Sequence, residues 1–236
     1  MSNSTSSNIY LIPTVLAEQA NHTIPNYIVE AIKACDVFFV ENEKTTRRYF
    51  KTLWKEMVID NYQWYNIHKA EHEVKNSFIQ AIKLNKNIGI LSEAGTPCIA
   101  DPGQILVEVA HEHKAKVIPL VGPNSILLAL MASGLNGQSF QFVGYLPIDS
   151  SERKKRLKEL ENYSINNKCS QIFIETPYRN NQIFQDIIKV LAPQTKLCIA
   201  TDITSNQEHI TTKTIAKWQH TKIDLHKKPT IFLFLA

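Results

Sequence analysis

Apolar residues along this chain fall into two kinds of segment that alternate with one another. Short β-branched or aromatic runs, Ile9–Ile12, Val37–Val40, Ile88–Leu91 and Val117–Pro119, read as strands. Between them Asn26–Lys33, Thr45–Leu53, Glu71–Leu84 and Gln104–His113 read as helices. In the third of these Val74, Phe78, Ile79 and Ile82 recur at helical spacing. A second series follows, with helices at Ser125–Ser133, Glu152–Tyr163 and Ile183–Leu191. Its strands are Phe140–Val143, Gln171–Glu175, Leu197–Ala200 and Thr230–Leu235. Alternation of this kind predicts an α/β fold containing parallel strands.

Gly122-Pro123 punctuates the passage from a strand to a helix, and the domain boundary is expected there, giving residues 1–121 and 122–236. The Ser/Asn-rich first eight residues are expected to be loose, and no tandem repeat is visible.

Composition narrows the class. A chain of 236 residues, 44% hydrophobic and 20% charged, can bury one large core or two ordinary ones. The net charge of +4 is compatible with nucleic acid but is far from that of a dedicated binder. Cys35, Cys98, Cys169 and Cys198 are scattered, and His68, His72, His111 and His113 have no ligand spacing, so free thiols and no metal are expected. The opening MSNSTSSNIYLIP is unlike a signal peptide and no apolar run reaches spanning length, which predicts a soluble cytoplasmic protein without membrane contact.

All seven glycines lie between Gly89 and Gly144. Such clustering suits a pocket built from main-chain atoms, though turns alone also use glycine. Ser92-Glu-Ala-Gly-Thr-Pro-Cys-Ile-Ala-Asp-Pro-Gly103 follows a buried-looking strand, where open α/β sheets bind ligands. Small residues at Ala94, Gly95 and Ala100 allow close approach, and Thr96, Glu93 and Asp101 offer polar groups for a ribose or an amine. The same residues also suit a proline-braced loop in which Asp101 caps the next helix. Pro119–Ser125 makes a second strand-to-helix junction, with Asn124 or Ser125 as a cap. No G-x-G-x-x-G or P-loop motif is present, which removes the common dinucleotide and nucleoside triphosphate readings.

SEAGTPCIADPG, VIPLVGPNS and FQFVGYLP, in that order, resemble the donor motifs of the small-subunit ribosomal RNA (cytidine-2′-O)-methyltransferases of the tetrapyrrole-methylase superfamily. Ile9–Thr14, Asp36–Glu41, Phe173–Arg179 and Thr201–Thr204 with Glu208 extend the resemblance over nearly the whole chain. It implies two unlike α/β domains with S-adenosylmethionine in the cleft between them, and a homodimer. On these motifs the donor-binding set is Pro13, Ser92, Glu93, Ala94, Gly95, Thr96, Ile99, Ala100, Asp101, Ser125, Gly144 and Tyr145.

Three departures bear on the acceptor. The family's P-I-G-N-L continuation reads Val15-Leu-Ala-Glu-Gln19, its E-D-T-R element reads Glu41-Asn-Glu-Lys44, and Lys228-Pro-Thr230 stands where G-E-x-V is usual. The chain reads as a short form without the family's basic C-terminal extension.

Methyl transfer needs orientation first. A ribose hydroxyl is a poor acid, so a general base helps by about 10²–10⁴-fold. Glu41 and Glu175 are the candidate bases, each directly after a strand and each matching a family acidic position; capping or pairing with a nearby Arg or Lys is the alternative. Lys44, Arg48 and Arg179 are candidate substrate contacts, with Arg47 beside them. Glu152–Arg156 reads as a solvated helix face, and Trp54, Tyr62, Trp64 and Tyr65 suit base stacking or, more in keeping with how aromatics are used, a core or dimer interface. Three functions fit: methylation of a ribose 2′-hydroxyl in small-subunit ribosomal RNA, methylation of a tetrapyrrole or other small molecule, and donor binding without turnover.

Overall fold

The computed structural model describes residues 7–67 and 71–236, and the side chains of residues 71–73 are also outside that description. Residues 1–6 of the segment expected to be loose, His68 and the side chain of His72 therefore lie outside the described residues. The chain divides into two compact units between Asn124 and Ser125.

The first unit holds a five-stranded sheet in the order β3-β2-β4-β1-β5, formed by β1 (Asn8–Leu11), β2 (Val37–Val40), β3 (Gln63–Asn66), β4 (Ile88–Leu91) and β5 (Lys116–Pro119). Among the described residues its pairings are all parallel, with Ile9 beside both Ile88 and Val117, and Val37 beside Ile88. A parallel sheet is covered on both faces, so its central strands are apolar throughout rather than alternating. β2 shows this directly. Val37 and Phe39 enter the core shared with Phe78 of α3 (Glu71–Lys83) and Leu106 of α4 (Gln104–Glu112). Phe38 and Val40 point the opposite way, into the core containing Ile28 and Ile32 of α1 (Ile28–Ala34) and Phe50 of α2 (Glu43–Leu53). Helix α2 starts two residues earlier than the apolar pattern predicts because the Asn42 side chain accepts from the Lys44 and Thr45 N–H groups.

The second unit has a mixed sheet in the order β6-β7-β10-β8-β9, from β6 (Phe140–Tyr145), β7 (Ser170–Ile174), β8 (Lys196–Thr201), β9 (His209–Thr214) and β10 (Thr230–Leu235). Only β6 and β7 are parallel. Helix α5 (Ser125–Ser133) packs on β8, β9 and β10. α6 (Ser150–Asn167), α7 (Asn180–Val190) and α8 (Ile215–Trp218) enclose a core around Phe173, Phe232, Phe234 and Trp218.

β3 and β9 were not expected from the sequence. Both are edge strands whose residues are exposed or half-buried, so neither carries the continuous apolar run that marks a central strand. Helix α6 runs to Asn167, beyond the expected Tyr163, because its last turn is polar; it stops at Lys168, which takes φ 50°.

Candidate functional site

Three loops meet at the carboxyl ends of β1, β4 and β5, where open α/β sheets present ligand sites. The Thr14 N–H donates to the Gly95 carbonyl at 2.8 Å, and Thr14 Oγ1 lies 3.4 Å from the carbonyls of Ser92 and Gly95. From the third loop, Asn124 Nδ2 donates to Thr96 Oγ1 at 2.7 Å. Gly122 presses against Pro13 so closely that an added Cβ would lie 2.1 Å from the proline Cβ. That contact explains the glycine by close approach alone. Cys98 and Ala100 take φ 69° and 63°, a conformation that costs a residue with a side chain. The turn it produces leaves Ile99 and Ala100 exposed, along with Glu93 and Ala94 at its start, while Ser92 and Gly95 are buried.

Acidic groups crowd this loop. The Glu41 N–H donates to the Leu91 carbonyl at 3.0 Å, tying the ends of β2 and β4 together. Glu41 Oε2 then accepts from the Glu93 N–H at 2.8 Å, and Glu93 Oε1 accepts from Thr45 Oγ1 at 3.2 Å. Burial, with Glu41 adding to it, pushes the Asp101 carboxyl up to about 6 against a hydrogen bond from Ser92, and Glu93 raises it a little more. Among the described residues no group of three His, Cys, Asp or Glu is arranged to hold a metal ion.

Beside the loop is a cavity of about 490 Å³, within the range of about 300–1,000 Å³ usual for small-molecule sites. Its walls are Thr14–Gln19, one face of α2 through Thr45, Arg48, Tyr49 and Thr52, and Ser92–Ala94. Tyr49 is buried and donates its hydroxyl to the Pro13 carbonyl at 3.0 Å, and burial pushes its phenol well above the ordinary value. At the rim Arg48 lies 3.6 Å from Glu18, both largely exposed. Lys44 is exposed on the first turn of α2. The Val15–Gln19 loop, where the sequence departs from its resembling family, thus forms a wall of the cavity, and Gln19 takes φ 65° there.

In the second unit, Ser125 opens α5, and Gly144 and Tyr145 end β6. The β6–β7 register shifts between Phe142 and Tyr145, and Gly144 takes φ 70° within that irregularity, leaving Tyr145 59% exposed. Glu175 is buried and bound: its two oxygens accept from Arg179 at 2.5 and 2.6 Å, and one also accepts from the Thr176 N–H at 2.6 Å. Arg179 is correspondingly held on Glu175.

One feature was read otherwise from sequence, and for the aromatics the structure takes the core reading. In the run Glu152–Arg156 the other four residues are exposed, but Arg153 is 1% exposed and bonds Asp186 at 2.8 and 2.5 Å and the carbonyls of Pro147 and Ile148 at 3.1 and 2.6 Å. The heptad-like recurrence Arg153, Leu157, Leu160, Ser164 was the available signal, but the partner Asp186 is remote in sequence. The aromatics Tyr62, Trp64 and Tyr65 pack on Phe38 and Phe39, with centroids 5.3, 4.9 and 4.7 Å away, and Trp54 packs against the same core.

Solved structures share this fold over nearly the full length. The uroporphyrin III C-methyl transferase of Thermus thermophilus matches with a TM-score of 0.60 at 12% identity, covering 97% of each chain. The methyltransferase CobJ also gives 0.60 at 12% identity, covering 98% of this chain and 94% of its own. The family model of the tetrapyrrole (corrin/porphyrin) methylases matches residues 27–219, and the chain belongs to that family of methyltransferases. Relatives named ribosomal RNA small subunit methyltransferase I include those of Vibrio cholerae, 29% identical over 86% of this chain and 67% of theirs, and Bacillus subtilis, 28% identical over 89% and 68%. No helix among the described residues is long and apolar enough to cross a membrane.

Proposed function

We propose that this chain transfers a methyl group from S-adenosylmethionine to a ribose 2′-hydroxyl of small-subunit ribosomal RNA, acting in the cytoplasm as a homodimer. The observation that carries this reading is a shared wall: Ser92, Glu93 and Ala94 belong both to the loop resembling the family's donor motif and to the lining of the 490 Å³ cavity. The name borne by relatives that match most of the chain supports RNA as the acceptor.

S-adenosylmethionine, when bound, supplies a methyl group on a positively charged sulfonium. The residues present fit a cationic ligand. Beyond the burial that raises it most, the Asp101 carboxyl is raised by Glu41 and Glu93, and a positive charge brought near relieves that repulsion. Exposed Ala94 and Ala100 leave room for close approach, while Glu93 and Asp101 supply acceptors for hydroxyl or amino groups. On the acceptor side Arg48 suits a phosphate, with Lys44 adding charge on the same helix. Of the two candidate bases, Glu41 adjoins the donor loop, whereas Glu175 is engaged by Arg179 and Thr176; taking the proton of the acceptor hydroxyl falls to Glu41.

The test is transfer of labelled methyl from S-adenosylmethionine to small ribosomal subunits from a strain lacking this gene, with wild-type subunits as control. Label in RNA from the deletion strain alone is the expected result. Donor binding by calorimetry without any transfer overturns the ribosomal reading and leaves a small-molecule acceptor or a non-catalytic role. Sedimentation showing a monomer at micromolar concentration removes the homodimer.

A further inference from the structure

Tyr178 is 71% exposed, although a large aromatic side chain is normally sheltered. It stands in the turn between β7 and α7, and a second turn, Asp224–Pro229, lies against it. The His226 ring meets the tyrosine ring edge-on, with centroids 5.9 Å apart, and Lys227 Nζ lies 5.9 Å from the tyrosine centroid. His226, Lys227 and Lys228 are all exposed. Asp224 is the one acid of that turn, and its Oδ1 is taken by Asn181 Nδ2 at 2.7 Å and the His226 N–H at 3.0 Å.

This arrangement is held in place from beneath. Asn180 is fully buried, and its Nδ2 donates to the Lys228 carbonyl at 2.7 Å and to Thr230 Oγ1 at 3.1 Å. The Leu225 N–H donates to Asn181 Oδ1 at 2.8 Å, Leu225 itself is fully buried, and the Lys227 N–H donates to the Pro177 carbonyl at 3.1 Å. Lys227 takes φ 60°, a conformation in which glycine is the unstrained choice. The turn keeps a lysine there, and its charge is held beside the ring.

We infer that Tyr178 with His226, Lys227 and Lys228 forms a contact for single-stranded RNA, the ring stacking on an unpaired base and the lysines meeting the adjoining phosphates. An exposed aromatic face beside fixed cations is the combination that binds single strands, because every base has a π-face and every nucleotide a negative charge. The surface belongs to the second unit. The inference rests on RNA being the acceptor.

The test uses the full chain and a fluorescently labelled single-stranded oligoribonucleotide, read by anisotropy over a range of salt, with donor binding by calorimetry as a check on the fold. Stacking predicts that Y178F binds like wild type and Y178A at least about fivefold more weakly, with an unchanged salt slope. K227Q/K228Q is expected to bind more weakly at low salt and to lower the slope of log K against log salt by roughly 1.4, about 0.7 for each lost phosphate contact. All three variants keep wild-type donor affinity. Y178A and K227Q/K228Q binding RNA as wild type does, while wild type binds and methylates RNA, overturns this inference alone. Wild type neither binding nor methylating RNA overturns the proposed function and this surface with it. Unchanged binding to free RNA with weakened binding to assembled subunits overturns the RNA assignment in favour of a protein contact.

Discussion

The carboxylate of Glu41, at the end of β2, accepts a hydrogen bond from the main-chain N–H of Glu93, at the end of β4, at 2.8 Å. A negative charge is thereby set beside the loop that also carries Asp101, whose carboxyl it helps to raise. E41Q keeps an acceptor and removes the charge; E41A removes both. Both variants are expected to lower the pH midpoint assigned below to Asp101, and E41A alone to lose about 1 kcal/mol of stability through the lost hydrogen bond, checked by denaturant unfolding.

Donor affinity is expected to follow the ionisation of Asp101. A cation near the loop favours the charged carboxylate, so affinity for S-adenosylmethionine is expected to rise as pH increases through about 6, by up to about tenfold per unit below that value. Calorimetry from pH 5 to 8 measures it. D101N should bind more weakly at pH 7 and lose the dependence; an unchanged pH profile in that variant removes Asp101 from the donor site.

Stability carries the opposite sign. Because the folded state raises the Asp101 carboxyl, the ionised group destabilises it fully above pH 6, and this penalty disappears as pH falls towards 4. Without donor, D101N should melt higher than wild type at pH 7, with the difference closing at pH 4. A constant difference in melting temperature across that range contradicts the cause assigned here.

G122A drives a methyl group into Pro13 at 2.1 Å, and the neighbour is a proline ring with little freedom to yield. A loss of about 1–3 kcal/mol is expected, together with weaker donor binding, since Pro13 lies directly beside Thr14, which is tied to Gly95. Urea unfolding and calorimetry on one preparation test both.

R153M leaves Asp186 as a buried carboxylate without its principal partner, at a cost of about 3–5 kcal/mol. R153M/D186N removes the charge as well and should recover part of that loss. A double variant as unstable as the sum of the two single ones would show that the ion pair is not the coupling, as read by a denaturation cycle.

The sequence by itself determined the alternation of strands and helices, the apolar central strands and the loops at their carboxyl ends, because these are local patterns of burial and punctuation. Ser92–Gly103 was legible as a loop of unusual composition, and its motif led to the family. Edge strands β3 and β9 were not legible, since strands whose residues are exposed or at most half-buried show no continuous apolar run. Only the tertiary structure decided which charges are sheltered and which are exposed. Arg153 and its exposed neighbours are alike to a local reading of the chain, and the partner that shelters Arg153, Asp186, lies 33 positions away; the Glu175–Arg179 pair, four positions apart, was one of the alternatives the sequence left open. Tyr178 and Lys227 are 49 positions apart, and nothing local connects them. Burial and pairing depend on contacts between residues remote in sequence, made when the sheets assemble, and it is those contacts that give each carboxylate and cation its role.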